Sequence, residues 1–354
     1  MRAMKKYEFL EQDIRRILSM KTDWNEFQNA AVLVTGATGL IGSMVCRTLS
    51  RLSVLKQWNM TILALARNVE KAEETLADVT ENGNILFLQQ DVTERLNTEG
   101  PVDFIIHTAS PTKSQFFVNQ PVETLQSIIT GTVNILELAK EKNSKSVVYL
   151  SSMEAYGQVT EEKLLGEEQL GYINPVAPRS SYPEGKRAAE ALCAAYAGEY
   201  GIPVKIVRLA QTFGPGIPAD DNRVFVQFYR SASAGEDIVM YTTGGSKHMY
   251  IDTMDAVSAV LLLLTEGESG QVYNAANDGN YCSIKEMAEL VIAEFGNGTN
   301  SLRIDTSKNT GQYPAEHKLK LDVSKLKALG WEAQYDMKQM YRRMIEDMQE
   351  DARW

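Results

Sequence analysis

From Ala30 onward, apolar residues gather into short unbroken runs, each followed by a longer stretch in which apolar and polar positions recur at helical spacing. Ala31-Val32-Leu33-Val34 reads as a buried strand, followed by a glycine turn and a helix through Leu49. Thr61 to Ala66, Ile85 to Leu88, Phe104 to His107, Ser146 to Leu150 and Pro203 to Leu209 read as further strands. Strands that are apolar at nearly every position and alternate with helices require right-handed crossovers and a parallel sheet covered on both faces. The predicted class is therefore α/β, a doubly wound sheet over residues 30–209. After Leu209 the alternation loosens at Gly214-Pro215-Gly216-Ile217-Pro218, and residues 210–354 read as a smaller mixed α/β lobe. Some of its segments are expected to return to the first domain, and it ends in a helix around Met337 to Met348. Residues 7–29 read as one amphipathic helical extension, with Phe9, Ile14, Ile17 and Leu18 on the docking face and Glu11, Asp13, Arg15 and Arg16 around it.

Thr35-Gly36-Ala37-Thr38-Gly39-Leu40-Ile41-Gly42 follows the first strand and opens a helix. Gly36 permits the tight turn, Gly39 lets the backbone approach a pyrophosphate, and Gly42 allows close packing of helix and strand. Thr38, Leu40 and Ile41 sit where N–H groups and the helix dipole would meet the phosphates. Strand before and helix after make this GxxGxxG run a dinucleotide fingerprint, so the first domain is expected to be of the Rossmann type. An acid at the end of the second strand would bond a ribose hydroxyl, but Arg67-Asn68 stands there. Arg67 could pair with a 2′-phosphate and Asn68 could bond the ribose, which leaves NAD and NADP both open at this position. Asp91-Val92 is placed to flank the adenine.

Tyr182-Pro183-Glu184-Gly185-Lys186 puts a phenol and an ammonium on one helical face. The ammonium, with the positive charge of a nicotinamide, is expected to lower the phenol's pKa so that it acts as a base near neutral pH. Leu150-Ser151-Ser152 ends a strand where a hydroxyl could hold the substrate oxygen.

With the glycine loop, these residues resemble the extended short-chain dehydrogenase/reductases, the NAD-dependent epimerase/dehydratase group of sugar-nucleotide enzymes. The likeness runs from about Ala30 to Ala333. It includes His107-Thr108-Ala109-Ser110-Pro111, Ser151 to Gly157, Arg208 to Gly214, and Leu329-Gly330-Trp331. It implies Tyr182 as base, Lys186 as its orienter on the cofactor ribose, and Ser152 bonding the reacting oxygen. Thr108, Ala109 and Ser110 would line the cofactor, with Pro111 and Thr112 on the substrate side. It also implies tightly held NAD, with NADP as the alternative because of Arg67, and a homodimer pairing through helices such as that carrying Ala188 to Tyr196.

HTASPTKSQFF, Gln120 to Leu125, YPEGKR at 182–187 and Asn222-Arg223-Val224-Phe225 resemble UDP-glucuronate decarboxylases in particular. Glu154 stands where such enzymes and 4,6-dehydratases place a catalytic carboxylate; it either moves a proton beside a 4-ketone or only bonds a sugar hydroxyl. There are departures. Met153 replaces a dehydratase aspartate or a decarboxylase hydroxyl residue, His248 an arginine expected against the pyrophosphate, and Gln211 an asparagine. Lys247 or Arg223 would then compensate. Gln211, Arg223, Val224 and His248 join Ser152, Met153 and Glu154 as expected substrate contacts. The first reading is decarboxylation of a UDP-uronate through a transient 4-keto sugar, and the second is 4-epimerisation. Then follow 4,6-dehydration and net reduction by free cofactor. A non-catalytic nucleotide-binding regulator is the reading from another class, and the intact Ser152, Tyr182 and Lys186 argue against it.

Composition narrows the partners. The formal charge is −10 over 354 residues, which disfavours a nucleic-acid surface but not a single nucleotide. No run of about 18 apolar residues suggests a membrane span, and the first residues lack the apolar stretch of a signal peptide. Three cysteines without CxxC spacing fit a reduced cytoplasmic setting. Three scattered histidines lack metal-ligand spacing, so no metal is expected.

Overall fold

In the computed structural model, which describes residues 8–218, 220–308 and 316–350, the strands in chain order are β1 (Ala31–Thr35), β2 (Thr61–Ala66), β3 (Ile85–Gln89), β4 (Phe104–His107), β5 (Ser146–Ser152), β6 (Leu164–Leu165) and β7 (Val204–Leu209). Then come β8 (Gln211–Phe213), β9 (Ile238–Met240), β10 (Lys247–Asp252), β11 (Val272–Ala275), β12 (Asn277–Ser283), β13 (Leu302–Ile304) and β14 (Lys318–Leu321). Seven of them pair in the order β11-β7-β5-β4-β1-β2-β3, every ladder parallel. All six strands read from the sequence are in this sheet. The seventh, β11, returns from the distal part of the chain to lie beside β7. Strand order reverses between β1 and β4, so the crevice above their carboxyl ends is where a doubly wound sheet binds ligands.

β12, β10, β14 and β6 form a mixed sheet, with β8 pairing β10, and β9 pairs β13. The helix Thr253–Glu266 has twelve successive buried residues, Thr253 to Leu264. A helix apolar on every side must lie inside, and this one belongs to the main core cluster with β1, β5 and the helix Leu40–Lys56. Trp331 closes that core, its Nε1 donating to Ser258 Oγ on the buried helix at 2.9 Å.

The N-terminal extension differs from the single long helix expected. It is a helix over Glu8–Leu18 and a separate 3-10 turn over Trp24–Phe27, because Asp23 accepts from Asn25 N at 3.0 Å and starts the second turn anew. Ile14 and Ile17 are buried and Leu18 is half-buried, as the period required, with Leu10 buried beside them; Tyr7 and the Phe9 side chain lie outside the described residues. Asp13, read as part of the polar rim, is fully buried. Arg343 donates to it at 2.6 Å and the Tyr335 hydroxyl at 2.5 Å.

Candidate active site

The glycine loop occupies the crevice. Gly36 has φ +65°, and a Cβ there would meet Thr108 Oγ1 at 2.8 Å and Ala109 N at 3.0 Å. A Cβ on Gly42 would lie 2.2 Å from the Gly36 carbonyl oxygen, so Gly42 is required by the turn itself. Gly39 precedes the helix Leu40–Lys56 without a side-chain cap, which leaves the first N–H groups of that helix, Leu40 and Ile41 among them, open to a phosphate. This cradle fits the pyrophosphate of a dinucleotide. Gly42→Ala is expected to cost about 1–3 kcal/mol by overpacking and to abolish stabilisation by added NAD. Urea unfolding with and without NAD checks it, and equal stabilisation of both proteins by NAD would count against the assignment.

Thr35, which sequence reading passed over, ties the crevice together. Its hydroxyl lies 2.8 Å from His107 Nδ1 and accepts from Thr108 N at 3.2 Å and Ala109 N at 3.1 Å, while Thr108 Oγ1 donates to the Thr35 carbonyl at 2.6 Å. The parallel register that sets Thr35 beside His107 is a tertiary fact. Ser110 donates to the Pro111 carbonyl, and Thr112 is exposed next to it. Arg67 is exposed past β2, and Asn68 caps the next helix by accepting from Lys71 N at 2.6 Å. Asp91 accepts from Thr93 N and Oγ1, whereas Val92 packs its side chain against Gly131.

Ser152, Glu154, Tyr182 and Lys186 meet at the carboxyl end of β5. Ser152 ends the strand and caps the 3-10 turn Met153–Tyr156, and Tyr182 and Lys186 come from the first turns of the helix Ser181–Tyr200. Lys186 Nζ donates to the Leu150 carbonyl at 2.7 Å and lies 5.6 Å from the Tyr182 ring centre. Burial pushes the lysine down to about 7. Burial also raises the Tyr182 phenol above its ordinary range, with Glu154 pushing the same way and the Ser152 hydroxyl and Arg179 drawing it down. The sequence expectation joined Lys186 with a nicotinamide's charge; within the protein alone the cation lowering the phenol is Arg179, and the Lys186 ammonium is directed to the Leu150 carbonyl.

Arg179 and Phe117 were not picked out from sequence. The Arg179 guanidinium donates to Glu154 Oε2 at 2.8 Å and lies over the Phe117 ring at 4.8 Å; Phe117 in turn stacks on Tyr182, centroids 4.2 Å apart at 12°. Arg179 stands three residues before Tyr182, the only signal a single sequence holds for it. Met153, expected beside the substrate, is instead 3% exposed and packed in the main core, because the 3-10 turn points it inward between β5 and Tyr156.

The expected contacts in the lobe come from other elements. Gln211 opens β8, opposite Tyr250. Arg223 caps the helix Val224–Ser233 and is held by Asp221, its Nη2 donating at 2.8 Å, and Val224 packs partly buried at the start of that helix. His248, expected near the pyrophosphate, is buried with its Nε2 2.6 Å from His317 Nε2. Burial and His317 push it down to about 3, so it offers no positive charge there. Lys247 lies over the Tyr281 ring at 5.5 Å.

The chain matches the NAD dependent epimerase/dehydratase family over residues 32–276. Among curated proteins it is 31% identical over 323 residues to "UDP-glucuronic acid decarboxylase 3" of Arabidopsis thaliana, covering 90% of this chain and 89% of that one. It is also 31% identical to "UDP-glucuronic acid decarboxylase 1" of Xenopus tropicalis, covering 87% and 69%. Among solved structures, a dTDP-glucose 4,6-dehydratase of Streptomyces venezuelae with NAD bound superposes with TM-score 0.75 at 21% identity, covering 91% of this chain and 97% of that one. A UDP-glucose 4-epimerase of Thermotoga maritima with UDP-glucose gives 0.74 at 21%, covering 91% and 99%. The chain belongs to the NAD dependent epimerase/dehydratase family.

Proposed function

We propose that this chain, an NAD-dependent enzyme by its family, decarboxylates a UDP-uronate by way of a transient 4-keto sugar. The observation that carries the reading is the Glu154–Arg179 ion pair beside Tyr182, with the Arg179 side chain 43% exposed. A uronate brings a carboxylate that a guanidinium next to the reacting carbons can hold in a charge-assisted pair.

In this reading Tyr182, whose phenol the positive charge of bound NAD would draw down, takes the C4 hydroxyl proton as its phenolate, and the Ser152 hydroxyl holds the oxygen as the ketone forms. Lys186, anchored on the Leu150 carbonyl, keeps a cation under the phenol. NAD, when bound, supplies the acceptor for the C4 hydride and its return. Breaking the bond to the carboxylate leaves its electron pair on the carbon beside the ketone, as an enolate, and releases carbon dioxide. Glu154 then serves proton delivery to that carbon, and Tyr182 returns its proton to O4.

Product mass after incubation with UDP-glucuronate and NAD is the decisive measurement. Loss of carbon dioxide supports the reading; an unchanged mass with altered chromatography supports 4-epimerisation, which the core position of Met153 favours as the second reading. Glu154→Gln is expected to slow decarboxylation about 10²- to 10⁴-fold, and near-normal turnover of that variant would remove Glu154 from the chemistry.

The same reading assigns residues 30–209 to cofactor binding and 210–354 to the substrate lobe, with Thr253–Glu266 and Val272–Ala275 returning to the first. It also makes the protein a homodimer through the helix Ser181–Tyr200, whose Ala191, Ala194 and Ala195 face outward. Its three free thiols fit a cytoplasmic setting, and among the described residues no helix is long and apolar enough to cross a membrane.

A further inference from the structure

Tyr182, Lys186 and Glu190 stand four apart on one face of the helix Ser181–Tyr200, and the chemistry above makes no use of the third. Glu190 is buried. Its Oε1 accepts from Ser151 Oγ at 2.5 Å and from Arg208 Nε at 2.9 Å, and its Oε2 accepts from Arg208 Nη2 at 2.7 Å. Arg208 stands opposite Ser151 in the β5–β7 register. Ser151 in turn lies between Leu150, whose carbonyl holds Lys186, and Ser152, which lies against the Tyr182 phenol. One carboxylate thus ties together the strand segment on which both catalytic groups rest. Stability alone gives little reason for it, since a buried ion pair is seldom better than the apolar residues that could replace it.

We propose that Glu190 is a positioning residue for the Tyr182–Lys186 pair: its carboxylate balances the buried Lys186 ammonium and, through Ser151 and Arg208, fixes the Leu150–Ser152 segment. The proposal rests on the roles read above for Tyr182 and Lys186. Lys186 is surrounded by His107 from β4, Tyr149 from β5, and Tyr182, Glu190 and Cys193 on its own helix, with Arg208 from β7 behind Glu190. Burial and the neighbouring Lys186 hold His107 down at about 3, and burial pushes Tyr149 and Cys193 up, so those three are neutral near pH 7. Burial is what lowers Lys186, and Glu190 is the foremost group opposing that fall.

The test is the pH profile of turnover by product mass, which gives kcat and KM, alongside the transient cofactor reduction in a single turnover with the nucleotide sugar, followed by stopped-flow absorbance. If Lys186 must hold its proton, kcat falls as pH rises through its pKa. In Glu190→Gln that basic limb is expected to move to lower pH by about one unit or more, with kcat at pH 8 down about tenfold and KM nearly unchanged. Glu190→Asp keeps the charge but withdraws it, and should shift the limb less, in the same direction. A limb left at its wild-type position in Glu190→Gln, whatever happens to kcat or stability, overturns the proposal. If the glutamine variant does not fold, the aspartate variant decides by the same limb. Wild-type protein that reduces its cofactor without releasing carbon dioxide refutes the decarboxylase reading and leaves this comparison standing.

Discussion

Tyr182→Phe is expected to lower turnover of UDP-glucuronate by about 10²- to 10⁴-fold while leaving the protein folded. The change removes one oxygen. The ring keeps its stack on Phe117 and Lys186 keeps its bond to the Leu150 carbonyl, so the helix Ser181–Tyr200 and the end of β5 keep these anchors, and only the Ser152 hydroxyl loses its neighbour. On the proposed mechanism what is lost is the base for the C4 proton, and without it neither oxidation of the sugar nor any step beyond the ketone can start. KM should move far less than kcat, since the nucleotide is held elsewhere. Product formation by mass, with circular dichroism as the check on folding, tests this; wild-type turnover would exclude Tyr182 as the base and with it the 4-keto route.

Arg343→Met is expected to cost about 3–5 kcal/mol of stability near pH 8. Arg343 donates to Asp13 at 2.6 Å and to Asp252 at 3.2 Å, and both aspartates are fully buried. Methionine fills much of the space but leaves Asp252 without the cation Arg343 supplies, and Asp13 with only Arg16, at 3.5 Å. The pH dependence has a definite sign. Burial raises Asp252 to about 7 in the folded protein, Arg343 opposing. The folded state therefore holds this proton more tightly than the unfolded chain, and the group's contribution to stability is lost as pH rises from about 4 toward about 7. Without Arg343 the loss is larger, so the variant's deficit should be greatest at pH 8 and shrink toward pH 4, where Asp252 holds its proton. Urea unfolding across that range checks it, and a deficit independent of pH would show that packing rather than charge is what Arg343 supplies. The same contacts make the N-terminal helix part of the core, since Asp13 joins it to the C-terminal helix Met337–Glu350 and Arg16 joins it to Asp255 at 3.1 Å.

Much of this was legible beforehand where the signal is local. An unbroken apolar run marks a strand buried on both faces, so β1, β2, β3, β4, β5 and β7 could be read within a residue or two. β11 could not, because Val272–Ala275 is short and partly polar and becomes a strand only by pairing with β7. The glycine loop was readable because a backbone turned to φ +65° tolerates few other residues. Tyr182 and Lys186 were readable because helical spacing alone puts them together.

Charge was the hardest property to foresee. Asp13 looked like a surface acid and is buried, and His248 looked like a phosphate contact and is paired with His317. Arg179 gave almost no sign, yet it stands on Glu154 beside the phenol. Period and turn chemistry depend on neighbours a few residues away, and these the sequence by itself determined: the doubly wound sheet, the glycine turn after β1 and the Tyr182–Lys186 pair. The state of each charge depends on burial and on partners 25 residues away for Arg179 and Glu154, or 330 for Asp13 and Arg343. Desolvation and Coulomb energy act through space, so only the tertiary structure decided which cation faces the phenol and which acids lie inside.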